Sequence, residues 1–124
     1  MFEISVKLDF SAAHNLRNYK GKCENLHGHN WHVRAIFGAS QLNAIGMVMD
    51  FKVANKLLAQ AVKTLDHCYL NNDVEYFQKI NPTSENIAKF IFQFLSKKLK
   101  RNVCNVVNVC VWETGQNYAK YYED

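Results

Sequence analysis

Hydrophobic and polar residues alternate from the second position onward, with Phe2, Ile4, Val6, Leu8 and Phe10 interleaved with Glu3, Ser5, Lys7 and Asp9. A period of two places successive side chains on opposite sides of an extended chain, so this segment predicts a strand with one buried and one wet face. A polar, irregular stretch runs from Asn15 to Glu24. From about His29 to Phe37 the alternation resumes with Trp31, Val33, Ala35 and Phe37 on one side, which predicts a second strand antiparallel to the first. Asp50 then stands as an N-cap for a helix over Lys52 to Leu65, whose apolar stripe reads Val53, Leu57, Leu58, Ala61 and Leu65.

After Pro82-Thr83 the apolar residues Ile87, Phe90, Ile91, Phe94, Leu95 and Leu99 recur at helical spacing, while Lys89, Gln93 and Lys97 face away. Val103 to Trp112 is a β-branched run. Thr114-Gly115-Gln116-Asn117 offers a turn before a short aromatic strand ending near Tyr122. The order strand, strand, helix, helix, strand, strand predicts an α+β fold, with a four-stranded antiparallel sheet covered on one face by two helices.

A chain of 124 residues fits a single domain over 1–124. Apolar residues are 48% and charged residues 21% of it, with one Pro and five Gly, which is globular composition and excludes low-complexity architecture. The longest apolar windows, such as Phe90 to Leu95, fall far short of a bilayer span, and Met1 to Ser5 lacks the basic-then-apolar pattern of a secretory leader. A cytoplasmic protein with no membrane partner is the expectation. The net charge of +4 is spread along the chain, so no nucleic-acid partner is expected. The four cysteines show no paired spacing and are expected as free thiols.

The chemistry concentrates in Cys23-Glu24-Asn25-Leu26-His27-Gly28-His29. Two histidines two apart in extended backbone project to the same side, so both imidazoles can reach one ion. A catalytic zinc site takes three protein ligands and keeps one position open, and His14, at the end of the neighbouring strand, is the third candidate. His32 has the opposite parity and is left out. Cys23 is either a fourth, structural ligand or a free thiol acting as a base beside an open metal site. Asp66-His67 is either a dyad that orients an imidazole or a helix end that favours a cationic histidine. Glu113, after Val109-Cys110-Val111-Trp112, is either a solvated strand end or a carboxylate placed to accept paired N–H donors from a cyclic guanidine-like group.

Five motifs occur in one order: Phe10-Ser11-Ala12-Ala13-His14, Cys23-x3-His27-Gly28-His29-Asn30, Asp66-His67, Pro82-Thr83-Ser84-Glu85-Asn86 and Trp112-Glu113-Thr114. In these motifs the chain resembles the 6-pyruvoyltetrahydropterin synthase and 6-carboxytetrahydropterin synthase family, from about Phe2 to Tyr122. The resemblance implies a tunnelling fold (ββααββ) whose subunits assemble into trimeric barrels, two of which stack into a homohexamer with active sites between subunits. It implies zinc on His14, His27 and His29, Cys23 as proton acceptor, Asp66 and His67 as a proton relay, and Glu113 as anchor of the pterin's 2-amino-4-oxo edge. Thr83, Ser84 and Glu85 match a segment lining the pterin pocket. The three residues between Cys23 and His27 resemble the bacterial 6-carboxytetrahydropterin synthases, which act on 7,8-dihydroneopterin triphosphate on the way to queuosine. The pyruvoyl-forming enzymes are the alternative, and a non-enzymatic structural zinc module is the reading from another class.

Overall fold

The computed structural model describes residues 1–100 and 102–124, except that only the backbone is described at Cys23. Two long strands dominate it, β1 (Phe2–His14) and β2 (His27–Ala39), paired antiparallel along their whole length from Phe2 opposite Ala39 to His14 opposite His27. Helix α1 (Phe51–Lys63) follows. A two-residue strand β3 (Cys68–Tyr69) and two single-turn helices, α2 (Leu70–Asp73) and α3 (Tyr76–Lys79), lead to α4 (Ser84–Ser96). The chain closes with β4 (Asn105–Thr114) and β5 (Asn117–Tyr121).

The fold is α+β as the pattern predicts, but the sheet has five strands in the order β3-β1-β2-β4-β5, and β3 runs parallel to β1. The departure from a four-stranded antiparallel sheet is physically small. Cys68 and Tyr69 align with Ala12 and Ala13 as the chain passes the sheet edge, and two residues carry no periodicity for a sequence reading to detect.

Both long helices start where the caps say. The Asp50 carboxylate accepts from the Lys52 N–H at 2.7 Å, and the Thr83 hydroxyl accepts from the Asn86 N–H at 3.1 Å. Helix α1 packs on β1, and α4 on β4 and β5. The buried stripe of α1 is Ala54, Leu58, Ala61 and Val62, continued by Leu65 beyond the helix, whereas Val53 is exposed. Leu58, Ala61 and Leu65 are buried as expected, while Ala54 and Val62 join the stripe in place of Val53. A pattern scored on large apolar residues passes over Ala54.

The core lies between sheet and helices, with Trp31, Val33, Ala35 and Phe37 from β2 against Leu58, Ile87, Ile91 and Leu95. On β1 the same face carries Val6, Phe10, Ala12 and His14, so the row of buried apolar residues ends in a buried imidazole. That ending positions the site.

Candidate metal centre

His14 faces His27 across the β1–β2 ladder, and His29 pairs with Ala12 one step inward. Alternation puts all three rings on the core side of the sheet, at the end where β1 and β2 leave it. Trp31, two residues further along β2, forms the wall of the site. Its ring centroid lies 4.9 Å from that of His14 and 5.3 Å from that of His29, both edge-on, and its indole N–H donates to the Ala12 carbonyl at 3.2 Å.

The hydrogen bonds behind the rings assign their tautomers. The His14 Nδ1–H donates to the Pro82 carbonyl at 2.7 Å, and the His27 Nδ1–H donates to the Asn25 carbonyl at 2.7 Å. A neutral imidazole carries one N–H, so in both rings Nε2 is left as a bare lone pair. Those two nitrogens are nevertheless 3.1 Å apart. Glu113 brings Oε1 to 3.2 Å from Nε2 of His14 and to 3.2 Å from Nε2 of His29.

Burial favours the uncharged form of His14 and His29. Loss of water pushes the His14 imidazole below its ordinary value of 6.5, against the raising effect of the Pro82 hydrogen bond, and burial likewise lowers His29 against the pull of Glu113. Neutral rings beside a carboxylate do not make ion pairs. Among the described residues the buried His29 Nε2 has no hydrogen-bond partner. Ligand atoms of His14, His27, His29 and Glu113 thus converge within 4.8 Å of one another. Unscreened, such a group of acceptors is repulsive, and a cation among them resolves it. Metal–nitrogen bonds of about 2.0–2.1 Å around a tetrahedral zinc separate neighbouring donors by roughly 3.3 Å, close to the spacings present. The residues fit the metal.

Asp66 and His67 lie elsewhere. Helix α1 ends at Lys63, and the expected helix end at Asp66-His67 is instead a turn after which His67 adopts a left-handed φ of 59°. The Asp66 carboxylate accepts from the Ser11 N–H at 2.9 Å and lies 3.0 Å from the His67 Nδ1, and the Ser11 hydrogen bond is the main reason its carboxyl sits below the usual carboxylate value. His67 is 82% exposed. With Ser11, Ala13, His29 and Asn30 it borders an open groove of about 500 Å³. Asp66 and His67 are thus not among the residues that converge as the metal group of their own chain.

The side chain of Cys23 lies outside the described residues. Its backbone belongs to a single 3-10 turn, Lys22–Glu24, just before the His27-Gly28-His29 strand end. Thr83 uses its hydroxyl to cap α4, and Glu85 is exposed in that helix's first turn. The segment meets the metal centre through Pro82, whose carbonyl holds His14. His32 points away from the centre, as its parity predicts, and pairs with Asp9 on the opposite sheet face at 2.6 Å. The carbonyls of Asn25 and Pro82 went unread in the sequence, because a backbone acceptor has no residue signature.

A sheet end that gathers three imidazoles and a carboxylate under the first turn of a helix defines a class: an α+β enzyme domain with a centre able to hold a metal. Comparison with known proteins makes the class specific. The chain belongs to the family described as 6-pyruvoyl tetrahydropterin synthase, which matches residues 3–124. It is 38% identical over 127 residues to the 6-carboxy-5,6,7,8-tetrahydropterin synthase of Synechocystis, spanning 98% of this chain and 94% of that protein. It is 36% identical over 132 residues to human 6-pyruvoyl tetrahydrobiopterin synthase, spanning 96% of this chain and 90% of that one. The solved structure of Caenorhabditis elegans 6-pyruvoyl tetrahydropterin synthase superposes with a TM-score of 0.86 at 31% identity, covering 99% of this chain and 96% of the other.

Proposed function

We propose that the chain is a zinc-dependent lyase that takes 7,8-dihydroneopterin triphosphate and water to 6-carboxy-5,6,7,8-tetrahydropterin, acetaldehyde and triphosphate, in the cytoplasm and on the way to queuosine. The observation that carries the metal part is the pair of bare Nε2 lone pairs held 3.1 Å apart by carbonyls that occupy both Nδ1–H groups. The carboxy-forming branch rests on the three residues between Cys23 and His27 and on the Synechocystis relative.

Bound at the three histidines, zinc would supply Lewis-acid polarisation of the substrate's side-chain hydroxyls. The chain's own groups do the rest. Cys23, on the turn beside His27, takes a proton from the carbon next to the polarised oxygen. Glu113 accepts the paired N–H donors of the pterin's guanidine-like edge and fixes the ring so that transfer occurs at one carbon. Asp66, anchored by the Ser11 N–H, orients His67 to move protons on the substrate's other side. Thr83, Ser84 and Glu85 border the pterin pocket.

His67 is exposed and lies outside the metal group of its own chain, so the relay in this reading reaches the metal centre of a neighbouring subunit, and the working unit is a homohexamer built as a dimer of trimers. Mass analysis of the products from zinc-loaded protein and 7,8-dihydroneopterin triphosphate tests the proposal. A 6-carboxytetrahydropterin with acetaldehyde supports it. A 6-pyruvoyl product moves the chain to the other branch with the same site, and no turnover returns the centre to a structural role.

A further inference from the structure

The zinc reading leaves Glu113 with two destinations. In this structure its Oε1 completes the group around the three imidazoles, whereas the pterin reading needs the same carboxylate on the ring edge of the substrate. One side chain cannot do both at once, and the bend in β4 says how it reaches the first. Along β4 the core side carries Val109, Val111 and then Glu113. Trp112 pairs with Tyr118 and Thr114 with Asn117, so Glu113 is the extra residue of a bulge, with no partner on β5. A bulge re-aims one side chain out of the regular pleat. Its exposure is also greater: the Glu113 side chain is 33% exposed, against 23% for His29 and 1% for His14. Carbonyls hold the His14 and His27 rings, and the carboxylate has open space to move into.

Resting on the proposed function, we infer that Glu113 is a two-position residue. In the resting enzyme it closes the metal as a fourth ligand, and when the pterin ring arrives it leaves to bind the ring, so that ring docking itself opens the position needed by the substrate's side-chain oxygens. The residue would then couple recognition of the ring to availability of the metal. A phosphate ester or sugar without that ring would meet a closed site.

Cobalt(II) in place of zinc gives a readout independent of turnover, because its visible spectrum reports coordination number. In the wild-type chain the spectrum should be that of a closed four-coordinate site. Glu113→Ala should change it and weaken cobalt binding by about tenfold or more. Glu113→Gln, checked for folding by circular dichroism, serves if the alanine variant does not fold. Unsubstituted pterin, which has the ring edge but no side-chain hydroxyls, should convert the wild-type spectrum saturably toward that of the variant. Identical spectra and affinities in wild type and variant overturn the proposal, as does pterin that binds by fluorescence quenching yet leaves the wild-type spectrum unmoved. Failure of the wild-type chain to take up cobalt at all is a different result, and it overturns the zinc reading itself.

Discussion

The side-chain amide of Asn71 pairs with both backbone groups of Asn15, accepting its N–H at 3.0 Å and donating to its carbonyl at 2.8 Å. Two residues on, Asn81 does the same for Arg17, at 2.8 and 3.0 Å. Asn15 and Arg17 present their backbone groups on the same side, as a strand would to a neighbour, but the neighbour is two side-chain amides. The Arg17 guanidinium adds contacts to the carbonyls of Asn71, Phe77 and Ile80, so it is spoken for by the fold rather than free for a triphosphate. This network carries the chain out of His14 and ties it to the segment whose Pro82 carbonyl orients that ring.

Asn71 is buried, so Asn71→Asp should be costly. The substitution keeps an acceptor for the Asn15 N–H but sets a carboxylate oxygen against the Asn15 carbonyl and buries a charge. Loss of about 1–3 kcal/mol is expected from urea denaturation of the metal-free protein, together with weaker zinc binding because His14 loses its register. Unchanged stability and unchanged zinc affinity would mean that the amides follow the arm rather than hold it.

His27→Ala removes one of three ligands while leaving the sheet pairing intact, since His27 is the last residue of the ladder. Zinc per chain, measured by elemental analysis after dialysis, should fall from near one to near zero. Thermal stability of the variant should match that of the chelated wild type. Retention of stoichiometric zinc would remove His27 from the centre.

The metal-free protein should lose stability in acid, and the direction follows from burial. His14 and His29 lie below the ordinary imidazole value of 6.5 in the folded chain, so between the folded and unfolded values the unfolded state binds more protons. Their contribution is complete above 6.5 and is lost as the pH falls through that value toward the folded ones. Asp66 adds a second, lower window: its depressed carboxyl stabilises above the ordinary 3.8 and ceases to do so as it becomes protonated. Urea midpoints of chelated protein across these ranges should fall with decreasing pH, and His14→Asn should flatten the upper window. A wild-type midpoint that rises on acidification would refute the assignment of neutral rings.

What the sequence disclosed follows from which features are periodic. Parity placed His14, His27 and His29 on the face that ends in Phe10, Ala12 and Trp31, and placed His32 on the other, because an alternating strand leaves no freedom in which way a side chain points. The cap at Asp50 and the helix start after Pro82-Thr83 were legible for a similar reason, polar or helix-starting residues directly before an apolar stripe. The segment 68–79 was not. Its strand is two residues and its helices single turns, held by Asn15, Arg17 and Asn71 through backbone contacts that impose no repeat on the sequence. The core-side parity of Glu113 continues that of Val109 and Val111, but the bulge that leaves it without a partner on β5, and its approach to His14 and His29, had no signal in the sequence.

The separation of His27 and His67 within one chain yields the sharpest test of a shared site. His27 belongs to the metal group, whereas His67, 82% exposed, lies outside it, on a groove that His29 also lines. If each site takes its metal from one subunit and its relay from the next, His27→Ala and His67→Ala damage different halves of the same site. Each variant alone should lose activity, by about 10²- to 10⁴-fold for the relay residue. Refolding the two together in equal amounts should rebuild intact sites wherever an unmutated His27 meets a neighbour's unmutated His67, restoring roughly a quarter of wild-type activity by random mixing around a closed ring. Mixed protein no more active than the separate variants would confine both residues to one chain and overturn the shared site.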